Sequence, residues 1–453
     1  MAEIPPQFSD SHPEDEQNDD QNLAAVIPIG ERLRELAWVF TKLGMIGFGG
    51  PAAHIAMIET EVVTRRRWLT REALLDLLGI TNLLPGPNST ELVIHIGLLR
   101  AGWRGLLVAG ICFILPAMVL VWGLAMGYGQ YQTVPQVAAM LYGVKPVIIG
   151  IIANAVWKLG KSVFKRRLMV VITGLALALV LLKVHEVLVL IMAGLLVVIW
   201  ERYREHQASL KNLRESISVI PEIPPQVSLI SSQNNHKNNY AKYAPWLGLP
   251  ILPLGLLQPI TSFAPRPEAW VVFGIFLQIG FVLYGGGYVL FAFLQQQLVE
   301  RSHWLTSQQL IDAIAIGQFT PGPLFTTATF IGYLLAGHTG AIGATVGIFL
   351  PAFICVGLVS PLVPYLRRSV ITGRFLDGVN CAALALMIAV TFDLGQQILV
   401  NNTGNNLPNG LTTVILGLIT VITWLVLYRY PKLNSALLVL AGAVFGVIYR
   451  SFR

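Results

Sequence analysis

Charge is what this 453-residue chain has least of. Asp, Glu, Lys and Arg together make up 12% of it, about half the share of an ordinary soluble domain. With 54% hydrophobic residues and a mean hydropathy of +0.64, the chain lacks the polar residues to cover a water-facing surface. Cysteine is scarce too. Cys112, Cys355 and Cys381 lie in apolar runs without paired spacing, so free buried thiols are expected, not a disulfide framework or a metal site. No Walker A sequence occurs, which argues against an ATP-driven pump. The one "HE" segment, "HEVLV" at 185–189, lacks the second histidine of a zinc motif. Neither a cofactor nor a metal is therefore expected, nor an enzyme. Residues 1–29 are acidic and polar, with no basic start and no apolar stretch. They read as a disordered cytosolic tail and not as a signal peptide.

What the chain does have is long apolar runs, at 105–127, 137–157, 341–363 and 411–428. They imply an all-α, polytopic membrane protein. The formal charge of +7 comes from short basic clusters between those runs. That is the loop charge of a membrane protein facing the cytoplasm, and it gives no reason to expect nucleic acid.

The sequence also matches itself. At an offset of 236, Phe40, Gly44, Gly49 and Gly50 fall on Phe276, Gly280, Gly285 and Gly286. Trp68-Leu69-Thr70 falls on Trp304-Leu305-Thr306, Asp76 on Asp312, and Pro85-Gly86-Pro87 on Pro321-Gly322-Pro323. After one deletion the offset is 235, pairing Gly97 with Gly332, Gly102 with Gly337 and Leu115-Pro116 with Leu350-Pro351. Two leucine-rich segments do not keep Trp, Asp and Pro in step by chance, so the chain contains an internal repeat. Loop charges reverse between the copies: "RRRWLTR" matches "RSHWLTS", whereas uncharged "GQYQTVPQ" matches "LRRSVITGR". Since Lys and Arg mark the cytoplasmic side, equivalent loops are expected on opposite sides, as in inverted-repeat transporters. The expected plan is a tail (1–29), repeat 1 (30–200), a polar cytoplasmic linker (201–244), one extra crossing (245–264) and repeat 2 (265–453).

Pro-Gly-Pro is a poor tripeptide for a helix in lipid, yet it is duplicated. Basic residues flank the first copy on both sides, whereas both flanks of the second are nearly uncharged. Each copy is therefore expected to turn a helix–break–helix hairpin that returns to the side it came from. Thr70 and Thr306 are the expected N-caps, with Thr306 and Gln309 forming a capping box. The inbound arm is expected over Arg71–Leu84. A proline in the first turn would open the returning arm. Behind it, amide groups and the side chains of Asn88, Ser89 and Thr90, or Thr326 and Thr327, would face a small oxyanion at a helix N-terminus. Asn82 and Gln318 stand at matched positions before the breaks. The glycines of "GFGGPAAH" and "YGGGYV" read as a second broken helix lining the same cavity. Ionisable groups at membrane depth are candidates by default. Glu91, His54, His95, Asp76 and Asp312 are the candidate proton carriers, set against structural roles for the histidines and an interfacial role for the aspartates. Lys42 and Lys145 would add positive potential.

"FTKLGMIGFGGPAAHI", "RRRWLT", "LPGPNST", "YGGGYV", "HWLTSQQLIDAIAIGQFTPGPLFTTATFIGYLLAG" and "IGATVGIFLPAF" resemble the chromate ion transporter family in its long-chain, two-domain form. The resemblance spans nearly all of 33–400, apart from the polar linker. It implies an inner-membrane carrier that exports chromate at the expense of the proton gradient, with sulfate as competitor or alternative substrate. The family pattern maps onto Phe48, Gly49, Gly50, Pro51, His54, Trp68, Pro85, Gly86, Pro87 and Ser89. In the second half it maps onto Gly285, Gly286, Gly287, Gln318, Pro321, Gly322 and Pro323. The partners expected are thus chromate or sulfate, protons and membrane lipid. The assembly, a homodimer included, is left open.

Overall fold

The computed structural model describes residues 28–48, 51–132, 134–164, 166–218, 267–284, 287–359, 369–399, 409–431 and 433–451. Every regular element among them is helical. In the first half, α1 (Ile29–Ile46) ends at a glycine break. α2 (Pro51–Glu59) follows and closes in a wide π turn over Thr60–Arg65. Next come α3 (Arg71–Thr81), α4 (Asn88–Tyr131), α5 (Pro135–Val163), α6 (Arg167–Leu181) and α7 (Glu186–Ser218). The second half repeats the order. α8 is Ala269–Val282, α9 is Val289–Leu294 with a π turn over Gln295–Arg301, and α10 is Ser307–Phe319. After a short 3-10 turn, Leu324–Thr326, come α11 (Thr327–Val359), α12 (Val370–Leu399), α13 (Asn409–Arg429) and α14 (Ser435–Ser451).

Local chemistry sets these limits. The Thr70 hydroxyl accepts from the Ala73 amide at 3.2 Å to start α3. Thr306 and Gln309 form the full capping box at the start of α10. Both Pro-Gly-Pro segments stop a helix, and Gly86 (φ 138°) and Gly322 (φ 98°) take up backbone angles that side chains disfavour. Two boundaries differ from expectation. α3 ends at Thr81 and not at Leu84, because residues 82–84 tighten into a turn whose amides bond to Leu78, Ile80 and Thr81. α7 continues to Ser218, so the first part of the expected 201–244 linker is helix. Its charged residues hold it there: Glu201 pairs with Arg166 and Glu205 with Arg374. Residues 1–27 and 219–266, which include the expected extra crossing, lie outside the described residues.

α4 and α11 are each two arms. At Ala101–Gly102 the angles are (−143°, 25°) and (60°, −150°). At Ala336–Gly337 they are (−139°, 26°) and (62°, −147°). A Cβ placed on Gly97 would lie 2.6 Å from the Ala109 Cβ. In one continuous helix those residues would stand about 18 Å apart at 1.5 Å per residue. The arms therefore fold back on each other, glycine against glycine, and Gly332 meets Ala344 in the same way. The Arg100 guanidinium at the end of the first arm sits 4.2 Å over the Trp68 ring and pairs with Glu35. The segment from Trp68 through Pro-Gly-Pro to Arg100 thus begins and ends in one place.

The halves interlock. α1 packs along α4 and α8 along α11, but α5 packs on α13 and α14 while α12 packs on α6 and α7. Each half lends its last hairpin to the other, through glycines that let backbones touch: Gly143 against Gly446, and Gly378 against Gly194. Asn88–Tyr131, Pro135–Val163, Leu324–Leu358 and Val370–Ile398 are long and apolar enough to cross a membrane. Large apolar side chains such as Leu107, Ile111 and Val119 face outward along them. The fold is an all-α membrane protein.

Gly102 and Gly337 sit where only glycine is at ease. Gly102→Ala or Gly337→Ala is expected to cost about 1–3 kcal/mol. Gly123→Ala, in open space within the same run, is expected to be neutral or to stabilise by about 0.5–1 kcal/mol. Thermal unfolding of the detergent-solubilised protein checks this, and equal effects at all three positions would refute it.

Candidate functional site

Four chain breaks meet at the centre of the interlocked halves, and hydrogen bonds tie them crosswise. The Gly86 amide donates to the Leu283 carbonyl at 3.0 Å, and the Gly322 amide donates to the Gly47 carbonyl at 2.7 Å. Donors and acceptors are both matched pairs of the repeat. Each Pro-Gly-Pro therefore closes on the glycine break of the other half. A side chain has no room there. A Cβ on Gly86 would lie 2.7 Å from Glu91 Oε1, and one on Gly322 would lie 3.2 Å from the Gly44 carbonyl oxygen. Gly49, Gly50, Gly285 and Gly286 lie outside the described residues.

Hydrogen bonds also run along the site. His54, buried, donates from Nε2 to the Gly47 carbonyl at 2.9 Å, the same oxygen that holds Gly322. That donation leaves Nδ1 as the acceptor, and Ser89 Oγ lies 3.4 Å from it. His54 also packs edge-on against Phe113. Its place is a bridge between the two Pro-Gly-Pro segments, with both nitrogens engaged.

α4 starts one position later than the sequence suggests. Pro87 is its N-cap, and the Pro87 carbonyl takes the amides of Thr90 and Glu91 at 2.8 and 3.1 Å. The amides of Asn88 and Ser89 precede that first helical bond and point toward the break. Asn88 Nδ2 donates across the break to Asn82 Oδ1 at 2.7 Å. Asn82 itself is exposed, so the pair ties the loop and does not line a buried cradle.

Just inside this start, polar atoms are buried without partners. Thirteen buried side-chain nitrogen or oxygen atoms lack a hydrogen bond among the described residues, and five of them belong to Thr90, Glu91 and His95. Glu91 is fully buried, with neither carboxylate oxygen bonded. Both ring nitrogens of His95, one turn on, are in the same condition. An unmet buried polar group costs about 1–3 kcal/mol, so their concentration at one helix start makes it the candidate place for a ligand or a proton.

The second copy is spent differently. Thr326 Oγ1 donates to the Pro323 carbonyl and Thr327 Oγ1 to the Leu324 carbonyl, both at 2.8 Å. These hydroxyls cap their own turn, and their donor hydrogens do not face a ligand. Gln318 accepts from Ser435 Oγ at 3.3 Å. The matched aspartates have parted. Asp76 is exposed, whereas Asp312 is buried and accepts from Tyr128 Oη at 2.8 Å. Tyr128 carried no signal in the sequence, being one aromatic in an apolar run. Nor did the pairing of buried Glu186 with Arg301, at 2.6 Å, which joins the two halves at the α6–α7 turn.

No solved structure matches this chain. A probable chromate transport protein of Synechococcus elongatus is 28% identical over 420 residues, covering 92% of this chain and 96% of that protein. The chromate transport protein of Cupriavidus metallidurans is 28% identical over 418 residues, covering 92% and 93%. An uncharacterized transporter of Methanocaldococcus jannaschii is 24% identical over 409 residues, covering 90% and 92%. The sequence profile of the chromate transporter family matches residues 34–199 and again 270–447, and the chain belongs to that family.

Proposed function

We propose that this protein is a secondary carrier of the inner membrane that exports chromate using the proton gradient. In this reading the halves lie inverted across the bilayer, and the oxyanion sits where α4 starts behind the first Pro-Gly-Pro. The observation that carries the proposal is the pair of crosswise bonds, Gly86 to Leu283 and Gly322 to Gly47. They bring a helix start with free amides to the middle of the fold, beside the unbonded groups of Thr90, Glu91 and His95. Relatives named as chromate transport proteins support the substrate. The reversal of loop charge between the repeats supports the inversion.

Each part has a task. The amides of Asn88 and Ser89, at the positive end of the α4 dipole, hold the oxyanion. The Thr90 hydroxyl adds a donor. Glu91 is the proton group of the cradle: ionised, it repels a dianion at contact distance, and protonated, it lets the dianion stay, so export by this route draws on the electrical part of the proton gradient and not on the pH difference. Pro85, Gly86 and Gly322 shape the cradle, and His54 fixes Ser89.

One observation favours a second reading. A carboxylate beside an anion cradle makes proton and anion bind together, which is the sign of a symporter. Sulfate or another oxyanion taken up with protons fits that sign. Labelled chromate in everted vesicles separates the two. Export predicts accumulation inside them that an uncoupler abolishes. Accumulation that ignores the uncoupler would remove proton coupling, and none at all would remove the export reading, since an uptake carrier moves the anion out of such vesicles.

Ser89→Ala is expected to weaken chromate affinity several-fold, with the protein still in the membrane. Thr326→Ala is expected to act less, since its hydroxyl is bonded to its own turn. Equal, unchanged affinities in both would move the site elsewhere.

The role of Glu91 gives a pH test with sulfate, which stays a dianion throughout. Sulfate binding to the purified protein should tighten as pH falls, because protonation removes the repelling charge. Glu91→Gln should bind at least as tightly as the wild type at low pH and lose most of the pH dependence. A pH dependence unaltered in this variant would assign the proton to another group.

A further inference from the structure

At the far end of α10 from the second Pro-Gly-Pro lies a cavity of about 410 Å3, lined by Lys145, Tyr142, Ser307, Gln308 and Gln397 among others. It adjoins a wider cavity of about 810 Å3 through the shared residues Ser307 and Gln397. Among the described residues, the only ionisable cation on the wall of the inner cavity is Lys145, and no carboxylate lines it. Glu300 and Asp393 line only the wider cavity, where Glu300 is bonded to Lys183 at 2.6 Å. The acidic group that acts on Lys145 is Asp312, one oxygen of which is held by Tyr128.

The start of α10 supplies donors. Its capping box engages the amides of Thr306 and Gln309. The amides of Ser307 and Gln308 come before the first helical bond, at the positive end of a helix of thirteen residues. A separate observation points to an occupant. Gln295 lines the wider cavity beside Ser307, is 2% exposed, and has an Oε1 with no partner among the described residues. Its Nε2 lies 3.4 Å from Ser307 Oγ. A hydroxyl serves as donor or acceptor, so the amide can turn over and offer its NH2 group to whatever enters.

We propose that the two adjoining cavities meet in a second oxyanion site around the start of α10, where Lys145 from the inner cavity, the Ser307 and Gln308 amides and the Gln295 side chain from the wider one bind a tetrahedral dianion before or after its passage through the central cradle. The inference rests on the oxyanion-carrier reading above. α10, about 20 Å long at 1.5 Å per residue, runs from this site to the second Pro-Gly-Pro, whose Gly322 bonds to Gly47 beside the central cradle. At offset 235 the counterpart of Lys145 is Asn380, so this lysine is not repeated at the matched position of the other half.

Equilibrium binding of radiolabelled sulfate to the purified full-length protein tests the proposal. Two sulfates per chain are expected in the wild type. Lys145→Gln should weaken one of them tenfold or more, Lys145→Arg should retain both, and Gln295→Leu should weaken the same site several-fold. Ser89→Ala should weaken the other site only. Two intact sites in Lys145→Gln would overturn the inference. So would a single wild-type site that Ser89→Ala weakens and Lys145→Gln leaves alone, or a Lys145→Arg protein that binds one sulfate. A wild-type protein that neither binds sulfate nor carries chromate would instead overturn the carrier reading.

Discussion

A helix broken inside a membrane leaves backbone donors and acceptors that water does not reach, at a cost of several kcal/mol each. At its buried Pro-Gly-Pro breaks the protein pairs two such donors and acceptors, Gly86 to Leu283 and Gly322 to Gly47. Each break satisfies the other half's break, so each central turn is bonded to the opposite half. The exchange of hairpins, α6–α7 onto α12 and α13–α14 onto α5, follows the same logic on a larger scale. Close backbone contact is needed at every one of these crossings, and glycine stands at each.

The backbone is duplicated more faithfully than the side chains. Dihedral angles at Gly102 and Gly337 agree within a few degrees, and the π turns and N-cap threonines recur in step. Around the Pro-Gly-Pro segments the chemistry has divided. The first copy keeps Ser89, Thr90, Glu91 and His95 at the start of α4. The second turns its threonine hydroxyls onto its own carbonyls and places its buried acid at Asp312, farther along α10. One copy reads as the place where a ligand and proton are handled, the other as the structure that holds it.

Much of this was legible in the sequence, for physical reasons. Pro-Gly-Pro breaks a helix in any surroundings, threonine three residues before Gln is a cap in any surroundings, and a repeat is visible without knowing what it packs against. Trp68 and Arg100 also belong to that class, since basic flanks on both sides implied a segment returning to its start. Partners across the halves were not legible. Nothing local to Asp312 says that Tyr128 will reach it, and nothing local to Asp76 says that it will be exposed. The fold-back at Gly102 was hidden for the opposite reason: an apolar run through two packed arms has the same composition as one long helix. Burial also redistributed roles among residues of one motif, spending His54 as a bridge and Asn82 as a surface tie while leaving Glu91 unbonded.

The unbonded Glu91 sets the energetics of the proposed carrier. Each elementary charge moved across 100 mV is worth about 2.3 kcal/mol, so a dianion leaving an inside-negative cell gains about 4.6 kcal/mol. If one proton rides out on Glu91, the net charge moved is one, and the gain falls to about 2.3 kcal/mol. At 1.4 kcal/mol per decade, that still sustains an outward concentration ratio of about 40-fold, before any pH difference is counted. Two or more protons per dianion would cancel the electrical drive and turn the same machinery toward uptake. Direction therefore depends on how many of the buried groups, Glu91, His95 and Asp312, change charge within one cycle. The fold constrains that number through Tyr128, which ties Asp312 to the α4 arm of the other half, whereas no bond among the described residues ties the side chain of Glu91 to anything.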